Sequence, residues 1–166
     1  MTAYAWLAFV AFYIFITWPR GVREMKNWDS YLMGFAEHAA SGSKDSTKVG
    51  AALVNDGKFV LLTGFNGPPQ GVADRPERFE RPAKYLYTVH AEKNLIGLAA
   101  KRGIRTAGCS VYVTHHPCAT CATLLIQAGI CEVVYGPGTT SMPREEFDVA
   151  REVLHEAGVK VRGLHK

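Results

Sequence analysis

Two short motifs contain residue types that bind metals and move protons. His90 and Glu92 lie two residues apart in the first motif, and Cys118 and Cys121 lie three apart in the second, directly after Pro117. One imidazole and two thiolates form a ligand set that suits Zn²⁺. Both sulfurs can face one point from the first turn of a helix, whose positive end also favours the thiolate form. Together the two motifs predict a zinc site.

The number of ligands indicates what the zinc ion does. Three protein ligands leave one position for water, which is typical of catalytic zinc, whereas structural zinc normally has four protein ligands. Glu92 follows His90 on the same helical turn, so its carboxylate can reach that water without occupying a coordination position. A carboxylate there can accept the proton of the water and return it to a substrate. The pattern predicts hydrolysis assisted by one zinc ion per chain.

Each motif alone has a simpler interpretation. A single histidine such as His90 is more often a hydrogen-bonded core residue, and a Cys-x-x-Cys pair also occurs in structural zinc sites and as a redox pair. The chain contains no second Cys-x-x-Cys pair, and Glu92 accompanies the ligands. The combination therefore favours the catalytic interpretation. The two other thiols, Cys109 and Cys131, are expected to be core residues beside strands.

The elements that must position these motifs follow from apolar periodicity. Helical spacing is expected over residues 28–40, 88–101, 118–128 and 143–157. Strands are expected over residues 49–54, 58–63, 110–114, 131–135 and 159–162, with a hairpin turn between the first two. Residues 64–84 contain four prolines and predict a long loop of the kind that is often functional. This order predicts an α/β fold, a sheet of about five strands with helices on both faces.

The composition excludes several classes of protein. A length of 166 residues suits one domain, and 48% hydrophobic with 20% charged residues excludes a disordered or fibrous chain. Four cysteines are too few for a fold built on disulfides. The net charge of +4 suits an anionic small molecule but is too weak to indicate nucleic acid by itself.

The N-terminal segment differs from the rest. Residues 1–19 contain no charged side chain, and Arg20, Arg23 and Lys26 follow. The segment could be a short membrane anchor, a helix in an oligomer interface, or an artefact of the start site, because Met25 precedes the first globular pattern. It is shorter than the roughly 20 residues of a bilayer span and lacks the features of a secretory signal. We favour the artefact over the anchor, assign the catalytic domain to 25–166, and expect a cytoplasmic protein.

From residue 28 to the C terminus, the chain resembles the deoxycytidylate (dCMP) deaminase family. His-x-Glu paired with Pro-Cys-x-x-Cys is the signature of zinc nucleobase deaminases. Four further segments match this family: S-K-D at 43–45 with V-G-A at 49–51, G-F-N-G-P-P at 64–69, K-Y-L-Y at 84–87, and L-I-Q-A-G-I at 125–130. The resemblance implies a cytidine deaminase-like three-layer α/β/α fold with a mixed sheet. It also implies zinc-dependent hydrolysis of dCMP to dUMP and ammonia.

The resemblance extends to individual residues. It implies that His90, Cys118 and Cys121 hold the zinc ion, that Glu92 is the catalytic proton carrier, and that Asn66 contacts the sugar hydroxyl. The alternative for Asn66 is a turn residue of an Asn-Gly pair, and the two roles are compatible.

Two residues before the first strand are further candidates. Ser43 and Lys44 are candidates for contact with a phosphate, either of the substrate or of a nucleotide effector. A solvated loop at the end of a helix is an equally good interpretation of both.

The resemblance also implies partners. It indicates a homo-oligomer, often a hexamer, activated by dCTP and inhibited by dTTP, with a nucleotide substrate and no nucleic acid. Two alternatives stay open: deamination of another cytosine or adenine substrate (a nucleoside, a modified dCMP or tRNA adenosine), and a catalytically silent zinc domain. The balance of 17 basic against 14 acidic residues in 25–166 argues against tRNA, and the presence of Glu92 argues against silence.

Overall fold

The computed structural model describes residues 27–164, so the predictions made for residues 1–24 lie outside the described part. Its helices are α1 (Trp28–Ala40), α2 (Lys84–Tyr87), α3 (Ala91–Arg102), α4 (Ala119–Gln127) and α5 (Arg144–Glu156). Its strands are β1 (Gly50–Val54), β2 (Val60–Phe65), β3 (Ser110–His115), β4 (Glu132–Gly138) and β5 (Lys160–Gly163). A short 3₁₀ turn covers Pro76–Arg78. Within residues 27–164, no helix is both long and apolar enough to cross a membrane.

The five strands form one mixed sheet in the order β2-β1-β3-β4-β5. β1 runs antiparallel to both β2 and β3, whereas β3, β4 and β5 are parallel. The β1–β2 pair is the predicted hairpin. The parallel strands are joined through α4 and α5, as parallel strands require crossover connections. The predicted mixed sheet is confirmed.

The sheet is covered on both faces, which confirms the three-layer prediction. Alternate residues of a strand point to opposite faces. Leu53 of β1 lies in the core shared with α3, α4 and α5, whereas its neighbour Ala52 lies in the core shared with α1. Because β1 is buried along its whole length, it is a continuous apolar run rather than an alternating one.

One close approach fixes the position of α1 on the sheet. A Cβ atom on Gly50 would lie 2.0 Å from the Ala36 carbonyl oxygen and 2.5 Å from the Ala40 nitrogen. Both are backbone atoms, so no side-chain rotation can make room. Glycine at this position lets α1 pack directly on the first residue of β1, next to the loop that borders the site.

A polar cluster holds the start of α1 against the parallel strands. The Arg162 guanidinium donates to both Asp29 carboxylate oxygens, at 2.7 and 3.0 Å, and to Glu132 at 2.8 Å. The Tyr112 hydroxyl donates to the same Asp29 carboxylate at 2.7 Å. These bonds lower the pKa of Asp29 to about 2, with the Arg162 hydrogen bond as the main cause. A bidentate arginine–carboxylate pair of this kind adds geometric specificity as well as energy.

The structure differs from the sequence prediction ahead of the first motif. The helix expected from about residue 88 begins at Ala91, and the short helix α2 precedes it. Between them, Val89 and Gly67 exchange backbone hydrogen bonds of 2.9 and 3.0 Å. This bridge holds the backbone extended up to His90, which therefore becomes the residue that caps α3. A smaller error concerns Cys131, which is exposed, while Cys109 is buried as expected.

Candidate active site

The three predicted ligands lie together at the N-terminal ends of two helices. His90 immediately precedes α3, and Cys118 immediately precedes α4, whose first turn carries Cys121. The His90 Nδ1 atom lies 3.5 Å from the Cys118 sulfur and 3.3 Å from the Cys121 sulfur. Ligand atoms at the usual Zn–N and Zn–S distances on a tetrahedron are about 3.5 Å apart. The donor set and its spacing both fit one zinc ion.

The electrostatics of the cluster suit a cation. The hydrogen bond with Cys121 lowers the pKa of Cys118 to about 3, and the same bond raises the pKa of Cys121. The hydrogen bond with the Cys118 sulfur raises the pKa of His90. Without a metal, the three groups must share protons. A divalent cation replaces those protons and lets both sulfurs become thiolates.

Glu92 lies on the first turn of α3, two residues after the histidine. It is only 4% exposed, which is uncommon for a glutamate. Burial raises the pKa of Glu92. A carboxyl group with a raised pKa beside the predicted metal ligands is suited to accepting and returning a proton.

A cavity of about 410 Å³ opens above the cluster. This volume falls in the range of small-molecule sites. One part of the cavity wall consists of His90, Cys118 and Glu92. Another part consists of Asn66 with Thr47 and Val49. Phe147 and Met142 contribute apolar lining from α5 and the loop before it. Two of the predicted metal ligands, the predicted proton carrier and the predicted sugar contact therefore border one space.

Asn66 is buried, and its side-chain amide already forms two hydrogen bonds within the protein. Its Oδ1 accepts from the Val49 N–H at 2.8 Å, and its Nδ2 donates to the Thr47 carbonyl at 2.8 Å. These bonds tie the end of β2 to the loop before β1. The amide retains a second N–H and a second lone pair, so a structural role and a ligand contact are compatible.

Ser43 and Lys44 do not border the cavity. The buried Ser43 hydroxyl donates to the Asn66 carbonyl at 2.8 Å, so it stabilises a residue that lines the cavity. Lys44 points outward and forms an exposed ion pair with Asp74 at 2.7 Å. Their predicted phosphate contacts stay predictions, and the structure separates the two residues from the space next to the metal ligands.

Several cavity residues were missed by the sequence reasoning. Asp45 and Lys84 form a nearly buried ion pair of 2.9 Å in the cavity wall. Burial opposes ionisation of Asp45, but the hydrogen bonds from Thr47 and Lys84 outweigh it and lower its pKa. Both residues lie in segments that matched the family pattern, S-K-D and K-Y-L-Y, and this match was the available signal. Arg81, from the proline-rich loop, also borders the cavity.

Two adjacent histidines complete the wall between β3 and the cysteine motif. His115 and His116 both border the cavity. The His116 ring packs edge-on against Tyr135 and Phe147, with centroid distances of 4.6 and 5.7 Å. Its Nδ1 lies 2.8 Å from the Pro117 carbonyl, which can only accept, so Nδ1 carries the proton. The ring is therefore held in one orientation beside the metal ligands.

The fold and the site are those of a zinc-dependent deaminase: helices on both faces of a mixed sheet, with histidine, two cysteines and a glutamate at helix starts. The family model described as cytidine and deoxycytidylate deaminase zinc-binding region matches residues 26–137. The chain belongs to this family.

Individual relatives agree with this assignment. The chain is 42% identical to a deaminase in the luxG 3′ region of Aliivibrio fischeri, over 84% of this chain and 95% of that protein. It is 39% identical to the deoxycytidylate deaminase of Mus musculus, over 81% of this chain and 78% of that protein. The crystal structure of dCMP deaminase from cyanophage S-TIM5 in complex with dCMP and dUMP is similar at a TM-score of 0.69 and 26% identity. That similarity covers 86% of this chain and 100% of the phage chain.

Proposed function

We propose that this protein is a deoxycytidylate deaminase, which hydrolyses dCMP to dUMP and ammonia and so supplies pyrimidine deoxynucleotides. The observation that carries the proposal is the cluster of His90, Cys118 and Cys121, whose His90 and Cys118 border a cavity of about 410 Å³ together with Glu92. The mouse relative carries the same name, and the related phage structure holds dCMP and dUMP.

The proposed roles follow from the chemistry of each side chain. His90 Nδ1 and the sulfurs of Cys118 and Cys121 would hold the zinc ion, which makes hydroxide available at neutral pH by acidifying water. The Glu92 carboxylate takes the proton of the water, delivers it to N3 of the base and helps to protonate the leaving amine. A C4–O bond forms and the C4–N4 bond breaks, so ammonia leaves and the uracil carbonyl remains.

The charges at the cavity suit a nucleotide better than a nucleoside. The Lys84 ammonium is paired with Asp45, whereas the Arg81 guanidinium donates to the neutral Ser141 hydroxyl at 3.0 Å. Arg81 therefore keeps its charge for an anion and is our candidate for the 5′-phosphate contact. Lys44 lies away from this cavity, so of its two predicted phosphate contacts only the one with a nucleotide effector stays a prediction.

The test is ammonia release by the full chain loaded with zinc. The substrates are dCMP, deoxycytidine, dCTP and 5-methyl-dCMP, each with and without dCTP as an effector. We expect dCMP to be the best substrate. Glu92→Gln is expected to lower kcat by about 10²- to 10⁴-fold, the usual contribution of a general acid–base group, while it retains zinc.

The matched control is Glu156→Gln, which makes the same change at an exposed position of α5 and is expected to leave kcat unchanged. A chain that binds zinc but turns over none of these substrates would refute the assignment. Equal activity of the Glu92→Gln and Glu156→Gln variants would remove Glu92 from the mechanism.

The same proposal includes several finer statements. We infer one zinc ion per chain, a homo-oligomer that responds to dCTP and dTTP, no nucleic-acid partner, and a cytoplasmic location. We also infer that residues 25–166 contain all the catalytic groups. Metal analysis per chain, light scattering with and without the two nucleotides, and fractionation of cells that express the full chain test these statements in turn.

A further inference from the structure

All three unpartnered buried side-chain polar atoms of residues 27–164 belong to residues that border the active-site cavity. They are Asp45 Oδ2, Thr88 Oγ1 and His116 Nε2. Buried polar atoms in native proteins nearly always have a hydrogen-bond partner. Three such atoms around one cavity therefore indicate where the polar groups of a ligand provide the missing hydrogen-bond partners.

Asp45 is the most informative of the three, because its side chain is 1% exposed and its two oxygens differ. Oδ1 accepts from the Thr47 N–H at 2.9 Å, from the Ser46 hydroxyl at 3.3 Å and from the Lys84 ammonium at 2.9 Å. Oδ2 has no partner within the described residues. The bonds to Oδ1 fix the rotation of the carboxylate and keep it ionised.

An ionised carboxylate can only accept hydrogen bonds, so the ligand atom at Oδ2 must be a donor. The Thr88 hydroxyl sets no comparable requirement, because it can donate and accept. The His116 ring carries its proton on Nδ1, so its Nε2 accepts in the neutral form, but unlike Asp45 the ring can also take up a second proton and donate. On dCMP the only donors are the 4-amino group and the 3′-hydroxyl. The amino group must face Glu92 and the metal ligands, which leaves the 3′-hydroxyl for Asp45.

The position of Asp45 agrees with this assignment. Asn66, the predicted sugar contact, bonds to Thr47 and Val49 of the loop that Asp45 begins. The Ser43 hydroxyl donates to the Asn66 carbonyl and accepts from the Asp45 N–H at 3.2 Å. Asp45 and Asn66 therefore form one hydrogen-bonded wall of the cavity.

We propose that Asp45 recognises the free 3′-hydroxyl of the substrate sugar and thereby selects mononucleotides over 3′-phosphorylated nucleotides. The proposal rests on the function proposed above. A 3′-phosphate offers no donor to Oδ2 at neutral pH and brings its negative charge against the carboxylate. An internal nucleotide of a DNA or RNA strand carries such a group, so the same aspartate excludes polynucleotides.

The first test uses the unaltered full chain with zinc and compares kcat/KM for dCMP and three analogues. The 3′-amino analogue keeps a donor, the 3′-fluoro analogue offers only an acceptor, and the 3′,5′-bisphosphate adds charge. We expect the fluoro analogue to lose about tenfold to a hundredfold, the scale of one hydrogen bond to a charged group. The amino analogue should stay within a few fold of dCMP, and the bisphosphate should be the poorest substrate.

A fluoro analogue or a bisphosphate that matches dCMP would overturn the proposal while leaving the deaminase assignment intact. Failure to turn over dCMP itself would instead refute the deaminase assignment, and this inference with it. The two failures are therefore distinguishable in one set of assays.

The second test is Asp45→Asn. The bonds from Thr47 and Lys84 hold the amide oxygen at the Oδ1 position, so the NH₂ group takes the place of Oδ2. The change converts an acceptor into a donor. We expect the ratio of kcat/KM for dCMP to that for the 3′-fluoro analogue to fall by about tenfold or more.

The matched control is Asp74→Asn, since Asp74 also pairs with a lysine but is exposed and does not border the cavity. It should leave the ratio unchanged. If Asp45 acts only in holding the loop, both substrates will slow equally in Asp45→Asn, and an unchanged ratio would overturn the proposal. If Asp45→Asn fails to fold, the analogue series on the unaltered chain decides the question.

Discussion

Replacement of two glycines by alanine should change stability in opposite directions. In Gly50→Ala, the new Cβ meets the Ala36 carbonyl oxygen at 2.0 Å and the Ala40 nitrogen at 2.5 Å. An ordinary contact needs more than 3 Å, so α1 must move away from β1 by about 1 Å or more. That movement loosens the packing of Leu32 and its neighbours on the sheet.

The expected loss of stability in Gly50→Ala depends on whether the new Cβ contacts backbone or side-chain atoms. Overpacking of a core typically costs about 1–3 kcal/mol, and contacts with backbone atoms fall at the upper end because no rotamer relieves them. We therefore expect Gly50→Ala to lower the free energy of unfolding by about 3 kcal/mol. Gly34→Ala is the matched substitution inside α1, where no atom of residues 27–164 outside the local helix backbone lies within 4 Å of the added Cβ. Alanine is a better helix former than glycine by about 1 kcal/mol, so this variant should be the more stable.

The assay is equilibrium urea unfolding of the zinc-loaded full chain, followed by far-UV circular dichroism. Gly50→Ala should move the midpoint to lower urea, and Gly34→Ala should move it to higher urea, with similar slopes. Gly50 adjoins the loop that Asn66 ties to the cavity, so Gly50→Ala should also raise KM for dCMP. Equal shifts of the two midpoints in the same direction would refute the reasoning, because the close approach of α1 to Gly50 would then have no effect on stability.

Two further predictions concern acid and metal. The folded-state pKa of Asp29, about 2, lies below its ordinary value of 3.8, so its pairing with Arg162 stabilises the fold above about pH 4 and is lost as the pH falls towards 2. Discounted for partial exposure, Asp29→Asn should cost about 1 kcal/mol at pH 7, or about 3 °C in Tm. The cost should be much smaller at pH 2, where Asp29 is half protonated in the folded state. A pH-independent difference would contradict this origin. Removal of zinc by a chelator should abolish deamination and make Cys118 and Cys121 reactive towards a thiol reagent, both reversed by added zinc. Unchanged thiol reactivity would show that these sulfurs do not hold the metal.

The elements that local sequence patterns predicted best are those with strong periodicity and clear ends. The helix expected over residues 28–40 is α1 to the residue, and the five strands appear within a few residues of their predicted positions. The predicted start of α3 was wrong, because the Val89–Gly67 bridge holds the preceding residues extended. That bridge joins residues 22 apart in sequence, and no local pattern contains it.

The same distinction between local patterns and long-range contacts applies to the residues of the site. Residue type and spacing by themselves determined the chemistry of the zinc motifs, because an imidazole and two thiolates at helix starts suit few other purposes. Ser43 and Lys44 were predicted as phosphate contacts, and neither residue borders the cavity. Neighbouring loop residues point in different directions according to the distant groups that they bond. The Ser43 hydroxyl bonds the Asn66 carbonyl, and Lys44 pairs with Asp74.

The sequence alone therefore determined the fold class, the predicted metal ligands and the family pattern, since all of these depend on short segments. Only the tertiary structure decided which residues border the cavity. Thr47, Ser46 and Lys84 all bond one oxygen of Asp45, and the other, buried oxygen has no partner among residues 27–164. Lys84 lies 39 residues away from Asp45 along the chain. The rotation of the Asp45 carboxylate depends on this long-range contact, and local sequence patterns do not predict such contacts.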